Sequence, residues 1–228
     1  MSLETSNVVT IDGPSGTGKG TISVMVAKRL GWHFLDSGAL YRVLALYAMK
    51  KGVELEDEPS LSQLAVELPV RFESENPSEP AKIFLEQEVV TDQIRTEQSG
   101  NAASKVAAFG QVREALLGRQ KAFLKAPGLV ADGRDMGTIV FPNAILKIFL
   151  DATAEERAKR RFNQLKEKGV DVTLQGLIGE IAQRDARDKQ RAVAPLRPAD
   201  DAIIIDTTKY SINEVFNKVI QEVEQKVC

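Results

Sequence analysis

The sequence predicts an α/β fold in which a five-stranded parallel sheet lies between layers of helices. Three observations carry that expectation. Five short apolar runs alternate along the chain with helical patterns. Most of the runs are continuously apolar rather than alternating, as strands covered on both faces are. The first run also leads straight into a glycine-rich turn and then a helix, the order in which such sheets present an anion-binding loop.

The first strand is Val8-Val9-Thr10-Ile11, and the helix after the turn runs from Ile22 to Leu30. Between them stands Gly13-Pro14-Ser15-Gly16-Thr17-Gly18-Lys19-Gly20-Thr21. Glycines let the backbone wrap closely around phosphate oxygens, where a Cβ would block the approach or forbid the positive φ. The N–H groups of the turn and of the first helical turn then point at the anion. Lys19 adds a mobile positive charge for the outer phosphates. The spacing G-x-x-x-x-G-K is met, but Gly20 stands where Ser or Thr is usual, and Thr21 brings its hydroxyl one position later. The motif implies binding of ATP or GTP.

Four further strands are expected at His33–Asp36, Leu129–Asp132, Ile145–Leu150 and Ala202–Asp206. Aspartates close the strands at Asp12, Asp36, Asp132, Asp151 and Asp206. The carboxyl ends of parallel strands are where ligands bind in open sheets. For Asp151 and Asp206 the plainer reading, a turn-forming residue, is preferred. Helices are expected over Ala39–Lys50, Gln98–Phe123, Ala154–Lys168, Thr173–Lys189 and Ser211–Lys226, the last opened by a capping box of Ser211 and Glu214. Residues 66–97 break the rhythm. Alternating segments around Val70, Lys82 and Glu88, with a proline-rich turn between, predict a small antiparallel meander inserted between the second and third sheet strands. The whole chain, 1–228, reads as one domain. Residues 37–127 form an acceptor-covering part carrying the insertion, and residues 153–191 form a lid.

Several constellations at the strand ends carry chemistry. Asp36-Ser37-Gly38-Ala39-Leu40-Tyr41-Arg42 follows the second strand, with Ser37 as the expected helix cap and Arg42 one turn in. Taken alone, a capped helix with a surface arginine explains that stretch better. Asp132-Gly133-Arg134-Asp135 follows the third strand. A charged tetrad at the mouth of a sheet favours function, with Arg134 able to hold a phosphate bidentately and Asp132 placed for a magnesium shell. Arg184, Asp188 and Arg191 follow i, i+4, i+7 spacing and are expected on one helix face, with Asp185 and Lys189 on its neighbour. Arg157, Arg160 and Arg161 cluster on the preceding helix, and residues 155–191 hold ten Lys or Arg against seven Asp or Glu. A solvated, ion-paired helix hairpin is the usual fate of such a run. Beside a phosphate loop, a closing lid that neutralises charge and excludes water fits better. Asn101-Ala102-Ala103-Ser104 and Arg113 carry no signal from spacing alone.

Composition excludes several classes. A net charge of −2 gives no basic field for nucleic acid or membrane. The single cysteine, Cys228, excludes an intramolecular disulfide and a cysteine metal cluster. The single histidine, His33, has no nucleophile motif beside it, and phosphoryl transfer needs none. No long apolar run or leader-like segment is visible, so a cytoplasmic protein is expected; the chain is separately read as a monomer.

Together the phosphate loop, Leu35–Arg42, Asn101–Ser104, Ala131–Thr138 and Arg184–Ala192 resemble the bacterial-type cytidylate kinases, over nearly the whole chain. The resemblance implies the three-layer P-loop kinase fold, with magnesium and transfer of the γ-phosphoryl group of ATP to CMP or dCMP. It implies that Ser37, Ser104, Arg113 and Asp135 read the cytosine, near Tyr41 and Asn101. Arg42, Arg134 and Arg191 would hold the acceptor phosphate beside Asp132 and Gly133, and Arg184 and Asp188 the sugar. Gly13 through Thr21 would hold ATP, Lys19 at its phosphates, with Arg160 and Arg161 from the lid. The remaining alternatives are a kinase of another small acceptor, such as UMP or shikimate, and a nucleotide-dependent switch.

Overall fold

The structure is a computed structural model that describes residues 6–227 except 77 and 168. Cys228, Pro77 of the expected turn, Lys168 at the expected helix end and the first five residues lie outside the described residues. The chain begins with β1 (Ser6–Asp12), the phosphate loop, α1 (Lys19–Leu30), β2 (His33–Asp36) and α2 (Ser37–Lys50). Helix α3 (Glu58–Val66) follows, and then the insertion as β3 (Val70–Glu73), β4 (Lys82–Leu85) and β5 (Glu88–Val89). Then come α4 (Glu97–Val106), α5 (Gly110–Lys121), β6 (Leu129–Gly133), a π turn at Met136–Val140 and β7 (Ala144–Asp151). The chain ends with α6 (Ala154–Glu167), α7 (Leu174–Gln190), β8 (Ile203–Asp206) and α8 (Ile212–Val227).

The main sheet is parallel, in the order β2-β6-β1-β7-β8, and β3-β4-β5 form a separate antiparallel sheet. Both faces of the main sheet are covered, which is why its strands read as continuous apolar runs. Val9 and Ile11 of β1 point to one face, against Ile22 and Val26 of α1 and Val215, Val219 and Val223 of α8. Val8 points to the other, with Leu129, Ala131, Met136 and Val140. The four-residue spacing of the three α8 valines makes the helical stripe that buries there. Register sets the site: Ile11 pairs with Asp132, Asp12 with Gly133, and Asp36 with Asp132. Three neighbouring strands therefore end in one row.

Two expectations are corrected. The helix expected over Gln98–Phe123 is two helices, because Phe109 takes an extended conformation (φ −85°, ψ 129°) and tucks its ring against the core of the insertion side. The cap of α2 is Asp36, whose carboxylate accepts the Ala39 N–H at 3.1 Å, and not Ser37. Helix α3 has no counterpart among the expected helices, although Asp57 caps it by accepting the Ser60 N–H and Pro59 sits in its first turn. The capping box forms as expected: Ser211 N–H donates to Glu214 at 2.8 Å and Glu214 N–H to Ser211 Oγ at 3.3 Å. Asp151 and Asp206 serve their own turns, accepting from Ala152 and Thr208 N–H.

Candidate active site

The phosphate loop leaves β1 through Gly13, whose φ is +147°. A Cβ there would lie 2.0 Å from the backbone oxygen of Leu150, so only glycine fits against β7. Gly18 (φ +90°) takes the N-cap position of α1 and offers no side chain to cap it, which leaves the first N–H groups facing outward for an anion. Lys19 is 8% exposed and its Nζ donates to the Pro14 carbonyl at 2.9 Å, which also accepts from Thr17 Oγ1. Burial, reinforced by repulsion from Arg134, pulls the Lys19 ammonium down to about 7. Opposite it, burial pushes the Asp132 carboxyl up to about 6, with Lys19 opposing. A Cβ on Gly20 would come within 3.2 Å of Asp132 Oδ2, which gives a steric reason for glycine where Ser or Thr is usual.

Two cavities meet at this lysine. A cleft of about 680 Å³ runs along Ser15, Gly16, Gly18, Gly20 and Thr21 toward Arg160, Arg161 and Asn101. A smaller cavity of about 160 Å³ runs between the ends of β2 and β6 and helices α2, α4, α5 and α7. Ser15, Lys19, Asp36, Arg42 and Arg184 border both. The small cavity is lined by Ser37, Tyr41, Ser104, Arg113, Asp132, Gly133, Arg134, Asp135, Asp188 and Arg191 as well. Its far wall is an ionic lattice. Arg113 is bonded to Asp135 Oδ2, and Arg191 Nη2 lies 3.6 Å from Asp135 Oδ1. Asp188 accepts from Ser104 Oγ at 2.7 Å and from Arg134 Nε at 3.1 Å.

Charge in that cavity is unevenly balanced. Burial raises the Asp135 carboxyl, against the pull of Arg113, Arg191 and Arg134. Burial would also raise Asp188, but Arg134, Arg184, Ser104 and Arg191 outweigh it and hold this carboxyl below its ordinary value. Burial and the neighbouring Arg134 pull the Arg184 guanidinium down to about 9. Arg184 Nε and Arg191 Nη2 are buried with no hydrogen-bond acceptor in the structure, as is the Tyr41 hydroxyl. Cationic groups short of acceptors beside a phosphate loop suit a phosphorylated second ligand.

A family profile described as cytidylate kinase matches residues 9–225. A protein named cytidylate kinase from Shewanella denitrificans is 58% identical over 224 residues, 98% of this chain and 99% of that one. Another of that name, from Photobacterium profundum, is 58% identical over 96% of this chain and 95% of its own. The chain belongs to the cytidylate kinase family. Among solved structures, a shikimate kinase from Acinetobacter baumannii covers the whole chain at 17% identity and a TM-score of 0.41, a likeness that says nothing of the acceptor.

Within that family setting, most of the residues singled out from sequence converge on one cleft. Asn101 faces the larger cavity and not the smaller one. Gly13, Pro14 and Thr17 shape the loop from behind without lining either. Arg191 is not on the helix face of Arg184 and Asp188: α7 ends at Gln190, and Arg191, in an extended conformation (φ −59°, ψ 141°), turns its guanidinium toward the Ala194 carbonyl and Asp135. Of the arginines expected on a lid, Arg160 donates to the carbonyl of Thr207 at 2.6 Å and pairs with Glu156, while Arg161 pairs with Glu97 across the cleft. Asp185 is not a surface residue. It is buried against Arg157, which also donates to the Ala152 carbonyl at 3.0 Å and the Ser15 carbonyl at 3.1 Å. That pair ties α6, α7 and the phosphate loop together. Gln120 is a second residue beyond the sequence reading: its side chain donates to Ser37 Oγ at 2.8 Å. Neither contact has a local signal, since their partners lie 28 and 83 residues apart.

Proposed function

We propose that this chain transfers the γ-phosphoryl group of ATP to CMP or dCMP, giving ADP and CDP or dCDP. The observation that carries the proposal is the meeting of a phosphate loop and an arginine-lined acceptor cavity at Lys19. An oxygen of the acceptor phosphate attacks the γ-phosphorus, and the bond to the β,γ-bridging oxygen breaks with its electrons leaving on ADP. The acceptor oxygen is already anionic, so no general base is needed. The protein's task is positioning and charge neutralisation. Gly16 through Thr21 hold the donor phosphates, and Lys19 sits where donor and acceptor phosphates approach. Arg42, Arg134 and Arg191 hold the acceptor phosphate, with Arg160 and Arg161 closing from α6. Arg184 and Asp188 take the sugar.

Cytosine offers an amino donor and two acceptors along one edge. Asp135 accepts from the amino group, and Arg113 with Ser104 and Ser37 completes the complement, with Tyr41 nearby and Asn101 on the side of the larger cavity. UMP presents a carbonyl where CMP has the amino group, leaving Asp135 facing an acceptor. A site built this way rejects the wrong analogue by roughly 10⁴-fold. This base-reading wall favours CMP over UMP or shikimate, and the committed acceptor cavity disfavours a nucleotide switch.

Magnesium bound with ATP would neutralise charge across the β and γ oxygens. Among the described residues no cluster of three or more His, Cys, Asp or Glu side chains forms a protein cage for it. The buried Asp132 beside Lys19 is the carboxylate that would hold it there. We also read the chain as a cytoplasmic monomer without nucleic-acid or membrane partners; no described helix is long and apolar enough to cross a membrane. The test is ADP formation from MgATP with CMP, dCMP, UMP, AMP and shikimate offered singly. Fast turnover confined to CMP and dCMP is expected. Turnover with UMP or shikimate instead would sink the acceptor assignment.

A further inference from the structure

Asp12 stands one residue before the phosphate loop, 5% exposed, and outside every role given so far. Its carboxylate reaches across to the backbone after β6. Oδ1 accepts the N–H of Met136 at 2.9 Å and Oδ2 that of Gly137 at 2.8 Å. These are the first two N–H groups of the π turn Met136–Val140, whose N-cap residue is Asp135. An aspartate at an N-cap ordinarily satisfies such orphan N–H groups with its own side chain. Asp135 does not: no cap bond comes from it, and its carboxylate meets Arg113 and Arg191 instead. Asp12 supplies from β1 the bond to Gly137 that an N-cap side chain would make and Asp135 withholds, and adds a second to Met136.

We propose that Asp12 is a positioning residue for acceptor selection, capping the turn at Met136 and Gly137 so that Asp135 is free to face the acceptor base. The same two bonds fix the backbone from which Arg134 and Asp135 project. They also link the acceptor wall to the donor loop, because Gly13, the first residue after β1, is wedged against Leu150. The proposal rests on the base-reading role of Asp135.

Asp12→Asn keeps the side-chain shape but turns one acceptor into an NH₂ group that opposes a backbone N–H. The expected result is a fall of about 10-fold or more in the CMP-to-UMP ratio of kcat/KM, the scale of one lost hydrogen bond to a charged group. The KM for ATP should change less than about threefold by the same scale, since no donor contact is removed. In an Asp135→Asn background, Asp12→Asn should leave the ratio where Asp135→Asn alone puts it, because both act through one contact. Asp12→Glu, which keeps the charge but moves it by a methylene, should lower the ratio in the same direction. A folded Asp12→Asn protein with the wild-type ratio and an equal loss of kcat for every acceptor would overturn the proposal. So would an additive loss in the double variant, or failure of both Asp12 variants to fold, since Asp12 would then serve the fold rather than selection. A wild-type enzyme that uses CMP and UMP equally would overturn it from below, by removing the base reading itself.

Discussion

On the proposed donor side, Gly16 to Thr21 come from one unbroken stretch, whereas the proposed acceptor side draws Ser37, Ser104, Arg113, Asp135 and Asp188 from five separate parts of the fold. The donor side is fixed by what is missing, a Cβ at positions of positive φ or close approach. The acceptor side is fixed by what is present, charged side chains that hold one another across the cavity. The first should tolerate no added atom and care little about charge on the base. The second should tolerate changes of shape better than the loss of a single charge.

The largest expected effect on kcat strikes the acceptor side. Arg134→Ala should lower kcat with CMP by about 10²–10³, as loss of one preorganised donor to a transferring group does. The fold should survive, because Asp188 keeps its bond from Ser104. Steady-state kinetics beside a thermal melt separates the two; a folded variant with wild-type kcat would remove Arg134 from phosphate binding. Gly13→Ala should break the other side through structure, costing about 2–4 kcal/mol from the combined strain and overpacking. Urea unfolding reads that loss, and an unchanged midpoint would mean that β7 can yield at Leu150.

The smallest effect reads the charge that joins the two sides. Burial pulls the folded value of Lys19 down to about 7, so in the free protein this ammonium gives up its proton far more readily than an exposed lysine. A triphosphate beside it favours the ammonium, so ATP binding at pH 8 should take up a fraction of a proton. Calorimetry in buffers of different ionisation enthalpy measures this uptake, which should vanish in Lys19→Met. The same depression has a sign for stability. The unfolded chain holds the Lys19 proton up to about pH 10.5, so this group's contribution to stability rises as pH climbs from about 7 toward that value.

The two sides also differ in how much the sequence discloses. The phosphate loop is local, and its glycines, lysine and flanking strand and helix are all consecutive, so residues alone reveal it. The sheet strands are nearly as open, because parallel strands buried on both faces must be continuously apolar. The acceptor wall is visible as scattered polar residues at strand ends, and only the family resemblance assigned Ser104 and Arg113 before their positions were known. What stays hidden depends on distant partners. Nothing near Asp185 announces Arg157, nothing near Ser37 announces Gln120, and Asp12 finds Met136 and Gly137 only once β1 and β6 are side by side. The break at Phe109 is hidden for the same reason: a core position overrides a helical pattern that looks continuous over Gln98–Phe123. Asp36 rather than Ser37 at the cap is a shift of one residue, within the usual uncertainty of helix ends.

The most direct test of the account is the CMP-to-UMP ratio of kcat/KM in the wild-type enzyme and in Asp135→Asn. The wild-type ratio should be roughly 10⁴ and should collapse toward one in the variant, with the KM for ATP little changed. A ratio that stays high in a folded Asp135→Asn enzyme would contradict it, and would mean that the base is selected by groups other than this carboxylate.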